Sequence, residues 1–212
     1  RLLDVVPLPR GGVEGRGDLY LVSSEYNDAF TLVNRLWESG ATVRRSVSDA
    51  RGSGPDEIFP AGTFAVEGVG RDEVDQLAGE MGVPVQAVLR LQSAELAEIP
   101  RPRVALYQPW QSNMDEGWTR WVLEDYGFEY DVLHPQDLRS AAAAAGVGPP
   151  GDFEIPSELR SQWPPHVRDR TPDRVLSDPL HELYDVVLFA HQSASSILNG
   201  SSSSSTPEPY RM

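Results

Sequence analysis

The sequence predicts two α/β units in series, an α+β module followed by a parallel α/β sheet. Three observations lead there. Between Asp18 and Leu89, short apolar strands and amphipathic helices follow one another in the order β-α-β-β-α-β. At Glu98 to Arg103 (EIPRPR) a linker stiffened by spaced prolines interrupts that pattern. Beyond it the strands turn apolar throughout instead of alternating, the mark of strands buried on both faces.

Residues 1–17 hold Pro7, Pro9, Gly11, Gly12, Gly15 and Gly17, and read as a linker entering the first module, residues 18–97. Asp18 to Ser23 reads as a strand. Asn27 is placed as an N-cap, and Ala29, Phe30, Val33, Leu36 and Trp37 recur at helical spacing as far as Gly40. Ala41 to Val47 alternates as a strand does, and Arg51 to Pro60 is rich in turn residues. Gly62 to Glu67 is a further strand. Arg71 to Met81 is a helix with Val74, Leu77, Ala78 and Met81 on its inner side, stopped by Gly82. Val83 to Leu89 closes the set, and Pro84 marks it as an edge. This order is that of a ferredoxin-like split β-α-β unit, with helices on one face of an antiparallel sheet.

After the linker at residues 98–102, a second module is expected over 103–212. Val104 to Gln108 is a buried strand. Asn113 and Glu116 fit the N-x-x-E capping pattern. Trp118, Trp121, Val122 and Tyr126 are assigned to one helical face, with Trp121 in the core, Trp118 beside the strand-end crevice and Arg120 pointing away. Phe128 to Leu133 and Tyr184 to Ala190 supply two more strands, so the reading is an incomplete doubly wound parallel sheet. A long insertion, 134–183, separates those two strands, and Gly200 to Thr206 is a serine-rich loop.

Composition narrows the function classes. The 212 residues carry 18 basic and 32 acidic side chains, a net charge of −14, which disfavours nucleic acid and anionic lipid as partners. There is no cysteine, which removes disulfides and thiolate chemistry, and no lysine, which removes Schiff-base and P-loop mechanisms. No run of about 18 apolar residues is present, so no membrane span is expected. The opening at Arg1 and the stop at Met212 after a loop-like stretch lead to the expectation of a fragment.

In an open α/β sheet, ligands bind outside the carboxyl ends of the strands. That places the candidate ligand-binding residues at Asp115, Glu116, Trp118, Arg120, His191 and Gln192, near Ser193. The competing reading is that Asp115 and Glu116 only complement the helix dipole while the tryptophans are core. His134 and His166 each start an H-x-x-D pattern, with Asp137 and Asp169. Both are expected in exposed loops beside prolines, so no metal site is assigned. No catalytic residue is assigned either, since there is no G-x-S-x-G elbow and Ser193 beside His191 is not a triad.

The stretches Arg103 to Tyr130 and Tyr184 to Gly200 resemble one group of bacterial secreted proteins. Distinctive runs are Gln108-Pro109-Trp110, Met114 through Trp121 (MDEGWTRW), Gln192-Ser193 and Ile197-Leu198-Asn199-Gly200. Asn27 to Phe30, Leu32 to Leu36 and Phe59 to Phe64 resemble the segment that precedes them. The group is the zinc carboxypeptidase family, in those members that carry C-terminal accessory modules. The resemblance implies a peptidase domain upstream whose zinc is held by an H-x-x-E pair and a later His, none of which lies in this chain. It implies that the second module is similar to a class I glutamine-amidotransferase-like domain. That superfamily's nucleophile is a cysteine, so no catalytic role carries over here. The resulting expectation is a non-catalytic accessory region of a secreted or periplasmic peptidase, with its own upstream peptidase domain as partner and a peptide or small molecule as ligand. The alternative is a flavodoxin-like small-ligand-binding module, and the weakest is a hydrolase using Ser193 and His191.

Overall fold

The structure, a computed structural model, describes residues 10–52, 58–91, 95–111, 113–144 and 179–191. The chain forms two compact units, 1–101 and 102–212. Both are mixed α/β.

In the first unit the strands are β1 (Gly12–Gly15), β2 (Leu19–Val22), β3 (Thr42–Ser46), β4 (Ala50–Arg51), β5 (Ile58–Phe59), β6 (Phe64–Glu67), β7 (Pro84–Val88) and β8 (Leu96–Glu98). The helices are α1 (Asp28–Glu38) and α2 (Arg71–Met81). Six strands form one sheet in the order β1-β7-β2-β6-β3-β8. Its four central strands interleave the two β-α-β units, as the sequence order predicts: β7 and β6 flank β2, and β6 lies between β2 and β3.

Both helices pack on one face. Ala29, Leu32, Val33 and Leu36 of α1 are buried, as are Val74 and Ala78 of α2, against Tyr20, Val22, Val43, Phe64, Val66, Val85 and Ala87. Each fully buried leucine there contributes about 1.5–3 kcal/mol. Strand alternation sends Leu21, Ala65 and Val88 to the opposite face, where Leu19, Phe59, Leu91 and Leu96 partly cover them.

Several boundaries differ from expectation. Gly12–Gly15, read as linker, is the edge strand β1 and runs parallel to β7, so the sheet is mixed. It is held by side chains of α2. Arg71 donates to the carbonyls of Val13 (2.9 Å) and Gly15 (3.1 Å), and Asp75 Oδ1 accepts from the Val13 amide (2.7 Å). Gly11 permits the approach, since a Cβ there would lie 1.9 Å from the Ala78 carbonyl oxygen. Strand β7 is therefore interior and not an edge. Pro84 is tolerated because it is exposed and opens the strand, where its missing N–H costs no ladder bond. The turn-rich connection after Arg51 contains the β4–β5 ribbon. Residues 96–98, which straddle the boundary between the first module and the expected linker, form β8 against β3. Asn27 adopts helical angles and makes no side-chain cap.

In the second unit, β9 (Val104–Tyr107), β10 (Tyr130–Leu133) and β11 (Val186–Leu188) form a parallel sheet in the order β10-β9-β11. The helices are α3 (Met114–Asp125), α4 (Pro135–Ala144) and α5 (Leu180–Leu183). All four residues of β9 are buried, which is what a central parallel strand requires. Arg103 fastens β9 to β11. Its guanidinium donates to both carboxylate oxygens of Asp185, at 3.2 and 2.9 Å, and holds that carboxyl down at about 2. Most of the expected insertion, 145–178, lies outside the described residues, as does the serine-rich loop.

Candidate functional site

The carboxyl ends of β9, β10 and β11 open toward the start of α3. Asn113 organises that junction. Its Oδ1 accepts from the Asp115 amide (2.9 Å), a true N-cap, and its Nδ2 donates to the carbonyls of Ala190 (3.0 Å) and His191 (3.2 Å) just past β11. The reciprocal half of the capping pattern is not what Glu116 does, because its carboxylate is turned to Arg120.

The phase of α3 is the reverse of the sequence expectation. Glu116 is its buried residue, 7% exposed, while Trp118 is 58% and Trp121 55% exposed. Arg120, expected to point away, faces inward. Its Nε donates to Glu116 Oε1 at 3.1 Å, with a second contact from Nη2 to the same oxygen. Nη1 donates to the Tyr130 hydroxyl (3.3 Å) and Nη2 to Gln108 Oε1 (3.5 Å), and the Tyr130 hydroxyl donates to Glu124 (2.8 Å). Burial disfavours the Arg120 charge, but the bonds and charge of Glu116, reinforced by Tyr130, raise its pKa above the ordinary value. The two tryptophans meet edge to face outside, with ring centroids 5.9 Å apart.

His134 also departs from expectation. It is buried, 3% exposed, at the end of β10. Its Nδ1 lies 3.2 Å from the Gln108 carbonyl, to which the ring donates. Burial is the main cause that lowers its pKa from 6.5 to about 4, the nearby Arg120 charge adding to it against the Gln108 bond, so the ring is neutral at pH 7. The H-x-x-D spacing has a structural meaning here. Asp137 Oδ2 accepts from the His134 amide (2.7 Å), and the Asp137 amide donates to the His134 carbonyl (2.9 Å). With Pro135 as the first residue of α4, that is a helix start, not a ligand pair. Gln136, next along, is buried, and its Oε1 has no hydrogen-bond partner among the described residues.

The expected site residues thus divide. Glu116 and Arg120 join Gln108 and Tyr130 in one inward network. Asp115 and Trp118 stand on the exposed side of α3. His191 is exposed with φ +28, a left-handed angle uncommon for a side-chain-bearing residue, while its carbonyl is held by Asn113. Gln192, Ser193 and His166 lie outside the described residues. Sequence reasoning missed Asn113 as a bridge, Gln108 and Tyr130 as half-buried partners, and His134 as a buried one. Pro135 at the first turn of α4, two residues before the aspartate that bonds back to the His134 amide, was the one available signal. Among the described residues no group of three or more His, Asp or Glu is placed to hold a metal, and no helix is long and apolar enough to cross a membrane.

No family model, curated protein or solved structure matches the chain.

Proposed function

We propose that this chain is a non-catalytic accessory region of a secreted zinc carboxypeptidase-like peptidase, serving domain packing or substrate presentation. The resemblance of the MDEGWTRW segment and its neighbours motivates the reading. One structural observation carries the non-catalytic part of it. Just past the carboxyl end of β9, where an α/β domain ordinarily places its chemistry, Arg120 is committed to Glu116 and Gln108, and it also reaches the hydroxyl of Tyr130, the first residue of β10. A base or nucleophile needs a reacting group within reach, and this network spends its charges on one another. Zinc and the hydrolytic residues belong, on this reading, to the upstream peptidase domain.

The test is hydrolysis of a C-terminal peptide substrate by that upstream domain, alone and joined to this chain. The joined protein is expected to change KM with kcat little altered, and the chain alone to be inert. Hydrolysis by the chain alone, or an upstream frame without H-x-x-E and a later His, overturns the proposal.

A flavodoxin-like small-ligand module is the second reading, favoured by the buried Gln136 Oε1 beside the end of β10. Flavin mononucleotide and a panel of amino acids are the probes. A rise in Tm that Gln136→Leu abolishes supports it, and no rise removes it.

A further inference from the structure

We propose that the outward face of α3 docks a partner protein segment that carries arginine among apolar side chains. At about 3.6 residues per turn, Met114, Asp115, Trp118, Trp121, Val122 and Asp125 share one side of this helix. All six are exposed, Met114 at 75% and Val122 at 43%. The opposite side holds the Glu116–Arg120 pair.

A helix packed for stability alone buries its aromatic residues and leaves its ion pairs wet. α3 does the reverse. It turns its charged pair in and leaves two tryptophans, a methionine and a valine in water, the composition of an interface centre. The edge-to-face Trp118–Trp121 contact fixes the rings relative to each other, so little side-chain freedom is lost on binding.

Charge selects the occupant. Asp115 and Asp125 lie at the two ends of the apolar stripe, and the helix's one cation, Arg120, is turned away from it. A guanidinium suits both features, since it stacks on indole faces and pairs with carboxylates. A second copy suits neither. Two such faces would set aspartates near aspartates in a chain of net charge −14. Anionic lipid is repelled for the same reason. The surface does not depend on the parent being a peptidase, and the hydrolysis test above leaves it untouched.

The test uses the full chain and two fluorescent amphipathic peptides, one of leucine and arginine, the other of leucine and glutamate. The arginine peptide is expected to bind, more weakly as salt rises. Trp118→Ala and Trp121→Ala should each weaken it about tenfold or more, with Tm lowered by no more than a few degrees. Asp115→Asn with Asp125→Asn should flatten the salt dependence. Equal binding of the glutamate peptide, no binding of either, or indifference to all four substitutions overturns the proposal. A dimer that Trp121→Ala disperses assigns the face to a second copy instead. Binding that emerges only when residues 145–178 are deleted assigns it to that segment.

Discussion

Glu116 and Arg120 sit one turn apart on the inner side of α3, with side chains 10% and 16% exposed. Removing one member strands the other in a poorly solvated place. Arg120→Ala is therefore expected to cost about 2–3 kcal/mol, a little below the range for fully buried pairs, because some water still reaches it. Trp121→Ala, on the exposed side, should cost less than about 1 kcal/mol. Urea unfolding of both variants checks the order, and the reverse order would return α3 to the phase its hydrophobic pattern suggests. His134 gives a pH prediction. Its folded pKa of about 4 lies below the ordinary 6.5, so the unfolded chain binds the proton first as pH falls. The stability it contributes is complete above pH 6.5 and is lost as pH drops through 4. At about 1.4 kcal/mol per unit the loss approaches about 3 kcal/mol. The urea midpoint of His134→Gln should fall less between pH 7 and pH 4 than that of the unaltered chain. An identical slope in both would show that other groups set the acid limit. Neither residue could be read correctly from sequence. Arg120 and His134 are polar by type, and only the partners that meet them inside make their burial tolerable.

At the scale of elements, α3 depends on Asn113 at both ends of one side chain. Asn113→Ala removes the helix cap and the two bonds to Ala190 and His191, and should cost about 1–2 kcal/mol. Its signature is faster amide exchange in the first turn of α3 with β9 and β10 unaffected; loss confined to β10 would contradict the bridge. Strand β1 rests on a close approach. Gly11→Ala pushes a methyl group into the backbone of Ala78 and Val83, so about 2 kcal/mol of destabilisation is expected, with exchange protection lost first at Val13. Unchanged protection there would mean that β1 moves away without loss. The long strands and both helices of the first unit were legible because their apolar spacing follows one period. β1 was not, because Gly-Val-Glu-Gly has almost no hydrophobic signal and exists as a strand through Arg71 and Asp75, some 60 residues away.

For the whole molecule, the first unit carries a six-stranded sheet with two covering helices, and residues 1–101 should unfold cooperatively by themselves. Shortening that piece to residue 91 removes β8 and the Ile99 amide bond to the Val43 carbonyl, and should lower Tm. Thermal melts followed by circular dichroism decide it; equal Tm for the two lengths would show that β8 adds nothing. The two-part α/β organisation, the β-α-β-β-α-β order and the parallel character of the second sheet are written in the local pattern of the chain. Each rests on local periodicity and on strands whose neighbours in the chain fix their neighbours in space. The residues also show that this chain itself supplies no thiolate and no lysine amine. Long-range packing makes β7 interior, buries His134 as a neutral ring, and turns the ions of α3 inward and its tryptophans out. For β7 the deciding groups are Arg71 and Asp75, which hold β1 beside it; for His134 and α3 they are Gln108, Tyr130 and Arg120, far apart in the chain and brought together by the fold. A charged side chain changes from surface to core when such partners replace its water.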